Sequence, residues 1–281
     1  MFRSVLVLAA VLSLLQPPGG PIRLIVKADD MGAAHGINVG TIDAYKNGVV
    51  TTTNVIVPGP WFPEAARMLR ENPGLDVGVH LAITSEWENV KWRPVTRAAS
   101  IVDADGYFFP MVVPRPGFAA GTSIREASWK LDDIERELRA QLDLAKRHLP
   151  QATYTWYHMG FTMLAPDVRE LAATLTKEYG LVQPMDLGIK PIGRVWDGRD
   201  SGTVKADKLA ARLESLEPGL WLHIDHGSTD DPEMRAIGHL GYEHVAADRS
   251  ANVAAWTSPR VREVITRRGI ELTDYRKLTR Q

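Results

Sequence analysis

Short apolar runs alternate along this chain with segments whose apolar residues recur at helical spacing. Ile22–Lys27 predicts a strand ending in Ala28-Asp29-Asp30, followed by a helix over about residues 37–46 that Asn47-Gly48 closes. Thr51–Val57 is β-branched and strand-like. Trp61–Arg70 predicts a helix stopped by Asn72-Pro73-Gly74, and Leu75–Ala82 a strand carrying Val77, Val79, His80 and Leu81. Residues 84–122 break this rhythm, being rich in Trp, Pro, Gly and charge, with Asp105-Gly106 as a turn inside Ile101–Phe109. Ser123 and Glu126 form a capping-box pattern at the head of a strong helix. Its Ile134, Leu138, Leu142, Ala145 and Leu149 repeat on one face, and Pro150 stops it.

Thr153–Tyr157 predicts the next strand, and Asp167–Tyr179 a helix ended by Gly180. Leu209, Leu213 and Leu216 mark another helix, and Gly219–Ile224 another strand. Ser258-Pro259 opens a last helix that ends at Gly269, and Ile270–Leu272 is a closing strand. Strands alternating with helices imply a parallel sheet with crossover helices. The expected fold is a single-domain distorted (β/α) barrel of the TIM-barrel type. It should have about seven parallel strands and occupy residues 21–281, with 84–122 as a covering insertion.

Composition narrows the chemistry. The chain has 281 residues, enough for a sizeable core, and its 33 Lys and Arg nearly cancel 34 Asp and Glu. No basic stretch offers the charge that phosphate neutralisation requires, so no nucleic-acid partner is expected. There is no cysteine, which excludes disulfides, thiolate nucleophiles and Cys-held zinc. Any metal must be held by His and carboxylate. At the start, Arg3 precedes the apolar run Val5–Leu15 and the breaker Gln16-Pro17-Pro18-Gly19-Gly20. Residues 1–20 are therefore expected to be a removed signal peptide of an exported, periplasmic or extracellular protein. A buried first strand is the alternative, but Ile22–Val26 supplies a better one. No membrane anchor is expected after processing.

Acidic and imidazole groups recur at the C-terminal ends of the predicted strands: Asp29 and Asp30, His80, His158, then Asp225 and His226. In α/β barrels that edge builds the active site. A carboxylate and two neutral imidazoles make a facial set for a divalent metal with open positions. A second carboxylate beside such a site could take a proton from water, and a protonated His opposite could donate to a leaving nitrogen. Adjacent acids point opposite ways in a regular strand, but a strand end or turn can bring both inward. Strand alternation puts only one of His223 and His226 nearest such a site. Each of these groups has a plainer use as a cap, solvated turn or core hydrogen-bonder, and their coincidence at one edge favours the joint reading.

At these residues the sequence resembles the YdjC-like carbohydrate deacetylase family, which includes chitooligosaccharide and hopanoid-pathway deacetylases. The matching segments are Lys27-Ala28-Asp29-Asp30-Met31-Gly32, Gly78-Val79-His80-Leu81 with Thr84-Ser85-Glu86-Trp87, Asp105-Gly106-Tyr107-Phe108, Tyr157-His158-Met159-Gly160 and Asp225-His226-Gly227. Ser258-Pro259, Gly269-Ile270 and Tyr275-Arg276 extend the likeness over nearly the whole chain after residue 20.

The resemblance implies a distorted barrel and a divalent metal on Asp30, His80 and His158, zinc being favoured and magnesium or another ion compatible. It also implies Asp29 as general base and His226 as general acid or leaving-group stabiliser. Two departures stand out. Many members have His-Pro-Gly where this chain has His226-Gly227-Ser228, and Thr-His-x-Asp-Ser-His where it has Thr153-Tyr154-Thr155-Trp156-Tyr157-His158. The expected activity is removal of N-acetyl groups from an amino sugar or oligosaccharide. Trp87, Trp92, Tyr107 and Trp156 are candidate sugar contacts, and ordinary packing is the competing role of each. A catalytically weak carbohydrate-binding relative, or a same-fold hydrolase of another amide or ester, is the alternative. A homodimer stays open.

Overall fold

The apolar run at Ile22 grows into a strand of ten residues, Ile22–Met31, buried along nearly its whole length in the computed structural model, which describes residues 20–279. A strand covered on both faces reads as continuous rather than alternating hydrophobicity, as this one does. In chain order the elements are β1 (Ile22–Met31), α1 (His35–Lys46), β2 (Thr52–Val55), α2 (Phe62–Glu71), β3 (Asp76–Leu81), α3 (Leu131–His148), β4 (Tyr154–Tyr157) and α4 (Pro166–Glu178). There follow β5 (Lys190–Pro191), α5 (Gly202–Glu214), β6 (Gly219–His226), α6 (Pro232–Arg235), α7 (Val245–Trp256), α8 (Pro259–Arg267), β7 (Glu271–Leu272) and α9 (Tyr275–Thr279).

The strands pair in the order β4-β3-β2-β1-β6-β5, with β7 also on β1, and every pairing is parallel. The early part of β1 meets β7 at Arg23 and Leu24, and its later part meets β2 from Lys27 onward. Between β4 and β5 the described residues form no ladder, only a bridge from Tyr154 to Val182. The sheet is thus a seven-stranded half-barrel with helices around it, as the βα alternation implied, and β5 and β7 are only two residues each. The expected leader, residues 1–20, lies outside the described residues but for Gly20.

Helix α3 anchors the start of the long insertion. Its apolar face buries Ile134, Leu138, Leu142 and Ala145, and two polar residues are buried with them. Gln141 exchanges two hydrogen bonds with the backbone of Ala82, just past β3. The Glu137 carboxylate accepts the backbone N–H groups of Val95 and Thr96. The chain leaving His80 is therefore held at both ends by one helix.

Three local expectations change. The Ser123–Glu126 capping box exists, but it caps a single 3-10 turn, Ile124–Glu126. Extended backbone at Ala127 and Lys130 separates that turn from α3, which starts at Leu131 with no side-chain cap. Helix α7 has no counterpart in the sequence reading. Its buried face carries Asp248, Arg249 and Asn252 among Val245, Val253 and Trp256, so apolar periodicity is too weak to reveal it. The strand expected at Gly219–Ile224 runs on to His226.

Candidate active site

Because all strands run in parallel, their C-terminal ends share one edge, and the expected residues converge there. Asp30, His80 and His158 each offer a ligand atom within 4.8 Å of the others, and all three are buried. His80 Nε2 lies 3.4 Å and His158 Nδ1 3.5 Å from Asp30 Oδ1. His226 Nε2 and Arg249 Nη2 approach the other oxygen, Oδ2, at 3.4 and 3.3 Å.

The neighbouring acids share the pocket because the strand is irregular there. Asp30 has φ 75°, in the left-handed region, and the β1–β2 register shifts between Ala28 and Met31. That bulge turns Asp30 back to the side Asp29 faces. Asp is among the residues that tolerate this backbone region. Asn54 on β2 ties the two acids together: the Asp30 backbone N–H donates to its Oδ1 at 3.1 Å, and its Nδ2 donates to Asp29 Oδ1 at 2.9 Å. His158 follows β4 at a similar corner, where Met159 and Gly160 take φ 51° and 64°.

The residues fit a divalent metal. Asp30 Oδ1, between the two imidazoles, is buried with no hydrogen-bond partner among the described residues. Burial holds His80 well below the usual imidazole pKa, in the neutral form a ligand requires. His158 Nε2 lies 2.8 Å from Glu86 Oε2, an arrangement that orients the ring and leaves Nδ1 for a metal. Burial opposes the His158 imidazolium, but in the metal-free protein Glu86 and Asp30 together raise its pKa to about 10, so an ion bound at Nδ1 would have to displace that proton. Burial also disfavours the Asp30 carboxylate, yet His226, His158 and Arg249 hold its carboxyl well below the usual range. Asp29 behaves differently. Burial raises its pKa despite Lys27, whose Nζ is 3.1 Å away. Burial lowers Lys27 to about 8 against the pull of Asp29.

His226 stands at the mouth, its side chain 38% exposed. Burial works against its imidazolium, but the Asp30 carboxylate favours it more, and its pKa is raised. Its Nδ1 is 3.4 Å from Asp225 Oδ1, while Asp225 Oδ2 accepts the Trp196 indole N–H at 2.8 Å. His223, three residues before it, sits between Trp196 and Trp256, away from Asp30. Alternation along β6 has separated the two imidazoles as expected.

The cavity over these groups is about 330 Å³ and is walled by Trp87, Trp156, Tyr157, Tyr242 and Arg249 besides the acids and imidazoles. Of the four aromatic candidates, Trp87 and Trp156 reach it. Trp92 is buried behind His158 with its indole N–H on the Thr84 carbonyl, and Tyr107 stacks under the Arg93 guanidinium; neither is among the wall residues. An adjoining cavity of about 650 Å³ shares His226 and Tyr242 and contains Trp196, His223 and Asp225.

Residues 23–267 match the family model described as YdjC-like protein, and the chain belongs to that family. A carbohydrate deacetylase of Geobacillus stearothermophilus is 37% identical over 273 residues, covering 92% of this chain and 98% of that protein. Another, from Thermus thermophilus, is 29% identical over 273 residues, covering 88% and 90%. Among solved structures, a proposed cellobiose-phosphate cleavage protein from Enterococcus faecalis superposes with a TM-score of 0.72 at 23% identity, covering 92% of this chain and 99% of that one, which speaks to the fold.

Proposed function

We propose that this chain is a metal-dependent carbohydrate deacetylase that hydrolyses the N-acetyl group of an amino sugar or oligosaccharide. The observation that carries this reading is the buried triplet Asp30, His80 and His158 with a second carboxylate, Asp29, beside it and an imidazole, His226, on its open side. Both relatives described above bear the name carbohydrate deacetylase.

A divalent ion on the triplet, zinc favoured, would polarise the acetyl carbonyl and make water easier to deprotonate. The protein supplies the proton transfers. Asp29 takes the proton of the attacking water, and its raised pKa brings it towards the pH at which a carboxylate base works best. His226, favoured as imidazolium by Asp30 and oriented by Asp225, donates to the departing amine nitrogen. Trp87 and Trp156 give the sugar an apolar wall, and the 84–122 insertion, which contributes Glu86 and Trp87, covers it.

The test is acetate release from a panel of N-acetylated mono- and oligosaccharides, with metal-loaded and chelator-treated protein. Metal-dependent release on at least one sugar is expected. Silence across the panel with metal bound would remove the assignment.

Export belongs to the same proposal, on the strength of Arg3 and the Val5–Leu15 run. The mature N-terminus should fall after Leu15 and before Ile22. Recovery of the chain from the cytoplasm with Met1 intact would contradict it.

A further inference from the structure

Beneath Asp29 lies a charge that the chemistry above does not use. Lys27 and Asp29 are two apart on β1 and so face the same side. The Lys27 side chain is 0% exposed, enclosed in the sheet interior. Its Nζ lies 3.1 Å from Asp29 Oδ1, 3.4 Å from the centroid of the Trp156 ring and 5.5 Å from that of Tyr154.

A desolvated ammonium over an aromatic face is attracted by the ring's negative face. Even so, a buried ion pair is often replaceable by apolar residues at no loss of stability. Its presence directly under the site therefore calls for another reason, and the placement of contacts on Asp29 supplies one. The Asn54 Nδ2 hydrogen bond and the Lys27 Nζ ion pair both fall on Oδ1. Among the described residues no hydrogen bond or ion pair falls on Oδ2. One oxygen is fixed from below, and the other is left to accept a proton.

We infer that Lys27, seated on the face of Trp156, is a positioning residue that locks Asp29 through Oδ1 and leaves Oδ2 as the working base. The inference rests on the deacetylase reading for its catalytic meaning, though not for its geometry.

The test is Lys27→Met made in the parent and in an Asp29→Asn background. In the parent, kcat should fall on the order of 10- to 100-fold, the usual effect of removing a group that orients a working side chain, with KM and metal content within about twofold. In the Asp29→Asn background the same change should have almost no further effect, because no base remains to be held. An equal loss in both backgrounds, or no loss in the parent, would overturn the inference. Should Lys27→Met fail to fold, Lys27→Ile removes the charge with a side chain suited to a buried strand. It should reproduce the Asp29-dependent loss in kcat, and an Asp29-independent loss would count against the inference. A crystal structure of Lys27→Met adds a readout free of activity. The Asp29 carboxylate should rotate off its Asn54 contact, and an unmoved carboxylate would overturn the positioning role. If the parent itself releases no acetate, the functional proposal fails while this structural comparison still decides the role of Lys27.

Discussion

Glu86 Oε2 lies 2.8 Å from His158 Nε2, so a carboxylate from the insertion backs an imidazole from the far side of β4. Position 156, two residues before His158, is a tryptophan, and the carboxylate beside this imidazole comes from 72 residues away in the chain. Glu86→Gln keeps the shape but removes the negative charge. It should weaken metal affinity by about 10- to 100-fold, as loss of such outer partners commonly does. Competition with a chromogenic chelator would measure it, and unchanged affinity would show that Glu86 does not support the ligand.

The two neighbouring acids should separate by mutation. Asp30→Asn should lose metal and activity together. Asp29→Asn should keep its metal and lose about 10²- to 10⁴-fold in turnover, the worth of a positioned proton transfer. Metal content and acetate release are measured side by side. Equal metal loss in both variants would make Asp29 a ligand or structural partner, and near-full activity of Asp29→Asn would move the base role elsewhere, with His226 tested first.

Activity should trace a bell against pH. On the proposed roles Asp29 works as the carboxylate, so the rate falls as pH drops through its pKa, which burial raises and a bound cation would lower. His226 works protonated, so the rate falls as pH rises through its pKa, which Asp30 pushes upward against burial. Asp225→Asn removes the carboxylate beside His226 and should shift the alkaline limb to lower pH. A shift of the acid limb alone would reverse the assignment.

Packing at the base of the site makes a stability prediction. Gly78 on β3 faces the Tyr154 ring across the sheet, and a Cβ there would come within 2.4–2.6 Å of three ring carbons. Gly78→Ala should cost about 1–3 kcal/mol of unfolding free energy, as overpacking does. Denaturant titration reads it, and a neutral result would mean that the Tyr154 ring can move.

What the sequence revealed and what it hid divide along a physical line. The ligand-type residues stood out because strand ends are where polar side chains interrupt apolar runs, and His80, His158 and His226 all occupy such ends. Lys27 and Asn54 were hidden inside strands that read as core, although a lysine amid Ile22–Ala28 was itself a signal, since a buried ammonium needs a partner. Glu86 was visible in a motif but not as a support for His158, a relation that exists only once α3 has pinned the chain leaving β3. Arg249 was out of reach with α7, whose polar buried residues erase the periodicity by which helices are recognised.

The left-handed backbone at Asp30 has a consequence for which side chains could ever replace it. Glutamate offers the same carboxylate, yet at φ 75° an ordinary L-residue pays roughly 1–2 kcal/mol that Asp and Asn largely escape. Its extra methylene would also displace a carboxylate whose one oxygen faces two imidazoles and whose other faces an imidazole and an arginine. Position 30 thus answers two demands, an oxygen where the imidazoles converge and a residue that tolerates the bend. Only aspartate answers both demands, so Asp30→Glu should be no gentler than Asp30→Asn.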